Sequence, residues 1–370
     1  MEKKEVGVQN LNFNLEKRKY WEKNRLPYSA MIELTAQCNM NCIHCYLNHH
    51  HFDDGMSYEQ VIKILDMLYD KGILFLTFTG GEILMRKDFA DIYMYAKKRG
   101  FLIELFTNAA LLTDNVIDML KIYPPVLVDV SLYGANEETY RKVTKCKNVF
   151  NTVIQNVKKM VDAGIRVALR TPVLTYTLVE LENMKRLANE IGIPFNTSFE
   201  ILATIDKDRQ TQQYQVKTEE TLLYETLDFF SRTDRNVTVH NSTTDAPYPI
   251  FECNIGKGGL VIDYQGNLFP CMKFRHIKKK VNQNNFDDIW DSYSKFSGMM
   301  TNPHNKCNSC EARYYCEVCP AEMDFLYGDM EYRTLEMCKI ARYRKRLYEG
   351  KLSLCEAKEV LKHWKDNLTI

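Results

Sequence analysis

From Met31 onward, short runs of apolar, β-branched and aromatic residues alternate with longer stretches whose apolar side chains return every three or four positions. The short runs, at 31–36, 73–79, 101–107, 126–132, 165–173 and 195–202, predict strands. The longer ones, at about 57–71, 88–99, 114–122, 149–163, 179–191 and 218–232, predict amphipathic helices. In the first helix Val61, Ile64, Leu65 and Leu68 fall at i, i+3, i+4 and i+7 and make one apolar face. Asp70-Lys71-Gly72, Lys98-Arg99-Gly100, Asp162-Ala163-Gly164 and Glu190-Ile191-Gly192 each put a glycine just past a helix and before a strand, the expected helix stop. Six βα units in series predict parallel strands joined by right-handed crossovers. Six are too few to close an eight-fold barrel. The expected fold is therefore α/β, a partial (β/α)6 barrel of the TIM type, with its chemistry at the C-terminal ends of the strands.

After about residue 235 this rhythm stops and cysteines become dense. The chain then divides into an N-terminal extension (1–28), the barrel (29–235), a small cysteine-rich domain organised by metal (236–340) and a basic helical segment (341–370). The extension is too short for a peptide-recognition domain of its own. No repeat or low-complexity segment is visible.

Composition narrows the functional classes. Of 370 residues 45% are hydrophobic and 26% charged, and Lys+Arg 49 against Asp+Glu 48 leaves a net charge of +1. That balance removes the general electrostatic argument for nucleic acid as partner. No apolar run approaches the ~18 residues of a membrane span. The first residues, Met-Glu-Lys-Lys-Glu-Val-Gly, are charged and lack the apolar core of a signal peptide, so the expected location is cytoplasmic, with no membrane partner. Twelve cysteines in a reducing compartment point to metal or redox chemistry rather than disulfides.

The first cysteine motif follows the first strand: Thr-Ala-Gln-Cys38-Asn-Met-Asn-Cys42-Ile-His-Cys45-Tyr. Three thiolates at this CxxxCxxC spacing can hold three irons of a [4Fe–4S] cube and leave the fourth without a protein ligand. A cluster used only for electron transfer normally takes four cysteines. A zinc knuckle is the other reading. The second strand ends in Thr79-Gly80-Gly81-Glu82, where glycines let backbone approach a ligand and a carboxylate can accept from an ammonium.

The cysteine motif on the first strand with Gly-Gly-Glu on the second resembles the radical S-adenosylmethionine (SAM) enzymes. The resemblance implies that Cys38, Cys42 and Cys45 hold the active-site [4Fe–4S] cluster and that SAM's amino and carboxylate groups chelate its open iron. It also implies that Gly80, Gly81 and Glu82 bind the SAM amino group and that Asn108 and Ser131, at the ends of strands three and four, face its ribose and carboxylate. Arg141 would be a carboxylate partner, and His44 would lie near the adenine.

A second set comprises Cys253, Gly266-x4-Cys271, Cys307-x2-Cys310-x5-Cys316-x2-Cys319 and Cys338. It resembles the SPASM extension of radical SAM enzymes, which holds two auxiliary Fe–S clusters, although the last inner gap is two residues where the family pattern has three. The resemblance implies an outer cluster on Cys307, Cys310, Cys316 and Cys338 and an inner one on Cys253, Cys271 and Cys319. Seven ligands leave the inner cluster one short, with its fourth site open. A pair of zinc ribbons is the alternative. Cys146 and Cys355 remain as ordinary thiols. His49-His50-His51 and the basic run Arg275–Lys280 are expected to be solvated loops.

The chemistry so implied begins with reductive cleavage of SAM to a 5′-deoxyadenosyl radical, which takes hydrogen from an unactivated C–H. The leading expectation is a maturase that installs a thioether or C–C crosslink in a ribosomally made peptide. Its partners would be the precursor peptide and an electron donor such as flavodoxin or ferredoxin. Alternatives are an anaerobic sulfatase-maturing, formylglycine-forming enzyme, an enzyme acting on a small molecule such as a tetrapyrrole, and a non-catalytic metal-binding protein. The sulfatase-maturing group carries an Asp base after the Gly-x4-Cys cysteine, where this chain has Met272.

Overall fold

The computed structural model describes residues 15–47, 55–232 and 246–364, so His49, His50 and His51 lie outside the described residues. In chain order the helices are α1 (Leu15–Lys23), α2 (Tyr58–Asp70), α3 (Phe89–Lys98), α4 (Asp114–Ile122), α5 (Glu137–Thr144), α6 (Phe150–Asp162), α7 (Leu181–Ile191), α8 (Thr218–Ser231), α9 (Phe286–Ser292), α10 (Pro320–Tyr327), α11 (Leu335–Tyr348) and α12 (Leu354–Lys362). The strands are β1 (Ser29–Thr35), β2 (Phe75–Gly80), β3 (Leu102–Thr107), β4 (Leu127–Ser131), β5 (Val167–Pro172), β6 (Phe195–Ser198), β7 (Gly259–Ile262), β8 (Asn267–Phe269) and β9 (Lys279–Lys280). They fall into two compact units, one within Met1–Gln215 and Cys253–Ser297, the other within Val216–Glu252 and Gly298–Ile370.

The first unit holds one nine-stranded sheet in the order β6-β5-β4-β3-β2-β1-β7-β8-β9. β1 to β6 pair in parallel with their sequence neighbours, as successive βα units require. β6 and β9 stand at opposite ends of that order, so the barrel is partial and open. Ala30, Ile32, Leu34, Leu76, Phe78, Ile103, Leu105, Val128 and Val130 are buried at alternate strand positions. The positions between them, Glu33, Thr77, Glu104 and Asp129 among them, make the other, concave face, whose side chains are largely polar. α2 is set by a Ser57–Gln60 capping box and buries Val61, Ile64, Leu65, Met67 and Leu68. At the end of α7, Gly192 has φ +82°, the left-handed stop expected there.

Three features depart from the sequence expectation. β7 lies beyond residue 235 yet pairs in parallel with β1, Ser29 opposite Gly259 and Ile32 opposite Ile262, so the barrel sheet takes in strands from the cysteine-rich stretch. Leu260, Val261 and Ile262 are a short apolar run that is buried there. α5 was not expected, because only Tyr140 and Val143 in it are clearly apolar; both are fully buried, and Asn136 caps the helix by accepting from Thr139 N at 3.0 Å. α1 was not expected either.

In the second unit α8, α11 and α12 bury Leu222, Phe229, Tyr343, Leu347, Leu361 and Trp364 in a core of their own. Each large apolar side chain so buried contributes about 1.5–3 kcal/mol. Thr226 Oγ1 and Tyr343 OH hydrogen bond at 2.6 Å, and Arg344 donates to both oxygens of Glu225, at 2.9 and 2.5 Å. The basic C-terminal segment is thus helical and tied to α8. Among the described residues no helix is long and apolar enough to cross a membrane.

Candidate active site and cysteine clusters

The loop after β1 carries Cys38, Cys42 and Cys45, all half-buried, and three neighbouring segments hold it, two through its backbone. From β2, Gly81 N donates to Thr35 O and Glu82 N to Gln37 O, both at 2.8 Å. From α5, Thr144 O and Val143 O accept from Asn41 N and Ile43 N at 2.9 and 3.0 Å. From β3, Asn108 Nδ2 donates to Asn39 Oδ1 at 2.8 Å and lies 3.8 Å from Cys38 Sγ. Only glycine fits at 80 and 81. A Cβ on Gly80, which also has φ +132°, would come within 2.2 Å of Thr35 O, and one on Gly81 within 2.2 Å of Gln37 O.

Glu82 is fully buried, and its carboxylate is already engaged by the chain. Oε1 accepts from Leu84 N at 3.1 Å and from the Thr107 hydroxyl at 2.6 Å, and Oε2 accepts from Asn108 N at 2.7 Å. Burial pushes this carboxyl up, against those three bonds. Glu82 is therefore a clamp joining the ends of β2 and β3, in addition to any contact with a ligand.

Burial also pushes the Cys38 thiol up to about 12, with Glu82, Cys45 and Cys146 adding to the rise, and it raises Cys42, where Cys45 and Cys38 add. Thiols this close and this buried do not ionise together without cationic charge between them, which iron supplies. Among the described residues no three His, Cys, Asp or Glu side chains converge on one ion. Cluster ligation places each thiolate on its own iron and needs no such convergence. The close-approach backbone at Gly80 and Gly81 and the three thiols fit a site-differentiated cluster with a ligand beside it.

The other expected residues are spread more widely. The His44 ring lies 5.4 Å from the Tyr133 ring. Ser131 closes β4, where its carbonyl accepts from Tyr140 OH at 3.3 Å. Arg141 is exposed on α5. Two residues beside the loop escaped the sequence reading. Tyr133, two residues past Ser131, reaches Cys42 with its hydroxyl. Cys146, expected to be an ordinary thiol, places its Sγ 3.4 Å from Asn39 O, against the cysteine loop.

Arg275 corrects the expectation of a solvated basic loop. Its guanidinium is buried, pairs with fully buried Glu33 on β1, lies 4.8 Å from the centre of the Tyr46 ring and approaches Met272 Sδ at 3.4 Å. Tyr46 OH donates to the same carboxylate at 2.8 Å. Lys279 and Lys280 of that run are exposed.

In the second unit Cys307, Cys310, Cys316 and Cys338 come together: burial raises Cys307, and the other three add to the rise. Arg333 lies beside Cys307 and Cys316 and opposes the rise at both. Cys338 enters the first turn of α11, whose N-cap is Thr334, and Cys319 caps α10 ahead of Pro320. Cys253 and Cys271 belong to the first unit, where Cys253 is exposed and Cys271 half-buried. Cys355 is exposed on α12.

Residues 32–188, from β1 through most of α7, match the radical SAM superfamily, and residues 253–311 match SPASM, an iron–sulfur cluster-binding domain. The chain carries a radical SAM domain and a SPASM domain. The cofactors of these domains are SAM, the active-site [4Fe–4S] cluster and auxiliary clusters. Over 169 residues the chain is 31% identical to the antilisterial bacteriocin subtilosin biosynthesis protein AlbA of Bacillus subtilis, a match covering 45% of this chain and 38% of AlbA. It therefore spans little more than a third of that relative. A longer match, 24% over 328 residues, is to an AdoMet-dependent heme synthase of Methanosarcina barkeri and covers 80% of this chain and 92% of that one. The solved structure of Streptococcus suis SuiB bound to precursor peptide SuiA is similar in fold, with a TM-score of 0.62 at 16% identity, over 92% of this chain and 83% of SuiB.

Proposed function

We propose that this chain is a radical SAM peptide maturase that closes a thioether or C–C crosslink in a precursor peptide. When bound and reduced, the active-site cluster splits SAM and supplies a 5′-deoxyadenosyl radical able to take hydrogen from an unactivated carbon. Cys38, Cys42 and Cys45 hold three irons and leave the fourth for SAM. Glu82 and Thr107 fix the Gly80-Gly81 backbone against the SAM amino group, Asn108 and Ser131 meet its ribose and carboxylate, Arg141 assists at the carboxylate, and His44 lies by the adenine. Cys307, Cys310, Cys316 and Cys338 hold the outer auxiliary cluster; Cys253, Cys271 and Cys319 are assigned to the inner one on their sequence pattern. A low-potential donor such as flavodoxin or ferredoxin delivers the electron.

The observation that carries this reading is the gathering of Cys307, Cys310, Cys316 and Cys338. Closing a thioether removes one C–H and one S–H: the carbon gives up a hydrogen atom, the thiol a proton, and the remaining electron needs an acceptor. A cluster held by Cys307, Cys310, Cys316 and Cys338 would supply that acceptor. Similarity to AlbA, a bacteriocin biosynthesis protein, supports a peptide substrate. Oxidation of a small molecule is the second reading, favoured by the length of the heme synthase match.

The test uses a Cys-containing precursor peptide and a sulfatase-type peptide, each incubated with reductant and SAM. The expected outcome is loss of two hydrogens per crosslink on the first, with the thiol no longer alkylatable if the bond is a thioether, and no change on the second. Loss of sulfur with gain of aldehyde reactivity on the sulfatase-type peptide would restore the formylglycine reading, which Met272 in place of an Asp base argues against.

A further inference from the structure

Three charged residues stand on neighbouring strands of the concave face, and nothing in the SAM site uses them. They are Glu104 on β3, Asp129 on β4 and Arg170 on β5. In the parallel register Phe106 lies opposite Asp129, and Ser131 opposite Arg170, which puts all three side chains on one side of the sheet. Arg170 donates through Nε and Nη2 to one oxygen of Asp129, Oδ2, at 2.8 and 2.6 Å. The other oxygen, Oδ1, has no hydrogen-bond partner, although Asp129 is only 3% exposed. Glu104 accepts from the Thr77 hydroxyl at 3.4 Å, a long bond. Two carboxylates face one guanidinium, so the group carries a net charge of about −1 when ionised. Burial, and then the charge of Asp129, push the Glu104 carboxyl up.

A buried carboxylate oxygen without a donor is unfavourable unless something supplies one. We propose that Glu104 and Asp129 form a cation subsite that receives an ammonium or guanidinium group of the substrate. A cationic group brings several N–H donors at once and neutralises the excess charge. The carboxylates of a tetrapyrrole would instead meet two of their own sign. The inference rests on the reading above only in placing substrate on the concave face. In a peptide, the group is a Lys or Arg side chain or a free N-terminus near the reacting carbon.

The probes are butylamine and butyrate, matched in length and opposite in charge, titrated calorimetrically into the anaerobic holoenzyme with SAM bound. Butylamine should bind and butyrate should not. Asp129→Asn and Glu104→Gln should each weaken butylamine about tenfold, the loss of one charge-assisted hydrogen bond. Arg170→Gln should act in the opposite direction and strengthen it by a similar factor, because a competing cation is gone. Glu182→Gln, on the exposed side of α7, should change nothing. Equal butylamine affinity in wild type and Asp129→Asn, or weaker binding in Arg170→Gln, overturns the subsite. If Asp129→Asn does not fold, the opposed signs at Glu104 and Arg170 still decide. Failure of the wider reading would be a different result: no SAM cleavage by the wild-type holoenzyme.

Discussion

Glu82 shows how one side chain can serve a ligand site from behind it. Its two oxygens accept from Leu84 N, Thr107 Oγ1 and Asn108 N, so its first effect is to hold the glycine backbone where SAM must pass. Glu82→Gln keeps the volume and one acceptor oxygen but turns an amide N–H toward the N–H of Asn108. The change removes one charge-assisted hydrogen bond, worth roughly 1.5–3 kcal/mol. SAM affinity should fall about tenfold or more while iron content stays unchanged, since no cluster ligand is touched. Equilibrium dialysis beside an iron assay measures both. Unaltered affinity would reduce Gly80-Gly81-Glu82 to a turn.

Among the elements, α5 links the segment between β5 and α7 to the cysteine loop. Its last carbonyls accept from Asn41 and Ile43, and its N-terminal side is held by Glu180, which accepts from Ala135 N at 2.6 Å and Thr139 Oγ1 at 2.8 Å and also binds Asn136. Glu180→Ala removes all three contacts, at about 1 kcal/mol each. The variant should retain the fold by circular dichroism yet release iron from the active-site cluster faster under chelator challenge. An unchanged rate would mean that α5 does not restrain the loop. Much of the barrel was legible because β1–β6 and their helices keep regular apolar periods, and glycines mark the helix ends. α5 was not legible, because Glu-Glu-Thr-Tyr-Arg-Lys-Val-Thr offers two apolar positions and forms through its cap and its packing. β7 was hidden as four residues among glycines, and its partner β1 lies more than two hundred residues away. Arg275 was misread for a similar reason: its buried partner Glu33 is distant in sequence. The cysteines and Gly-Gly-Glu were legible by spacing, whereas the use of the Glu82 carboxylate inside the loop needed the fold.

At the scale of the whole molecule, each compact unit has its own apolar core and its own group of cysteines. Loss of the active-site cluster should therefore leave the second unit folded, and loss of the outer auxiliary cluster should leave the first unit folded. Three cubanes hold about twelve irons, and reconstituted protein should approach that figure if the inner cluster is a full cube. Changing Cys38, Cys42 and Cys45 together to Ala should remove about four irons and abolish reductive cleavage of SAM. Changing Cys307 and Cys316 to Ala should remove a similar amount, but 5′-deoxyadenosine should still form under dithionite, because the barrel site is intact. In that double variant the substrate-derived electron loses the outer cluster as its acceptor, so crosslinked product should fall far more than 5′-deoxyadenosine does. A triple variant that still cleaves SAM would overturn the active-site assignment. A double variant in which product and 5′-deoxyadenosine fall together would remove the electron-accepting role from the outer cluster.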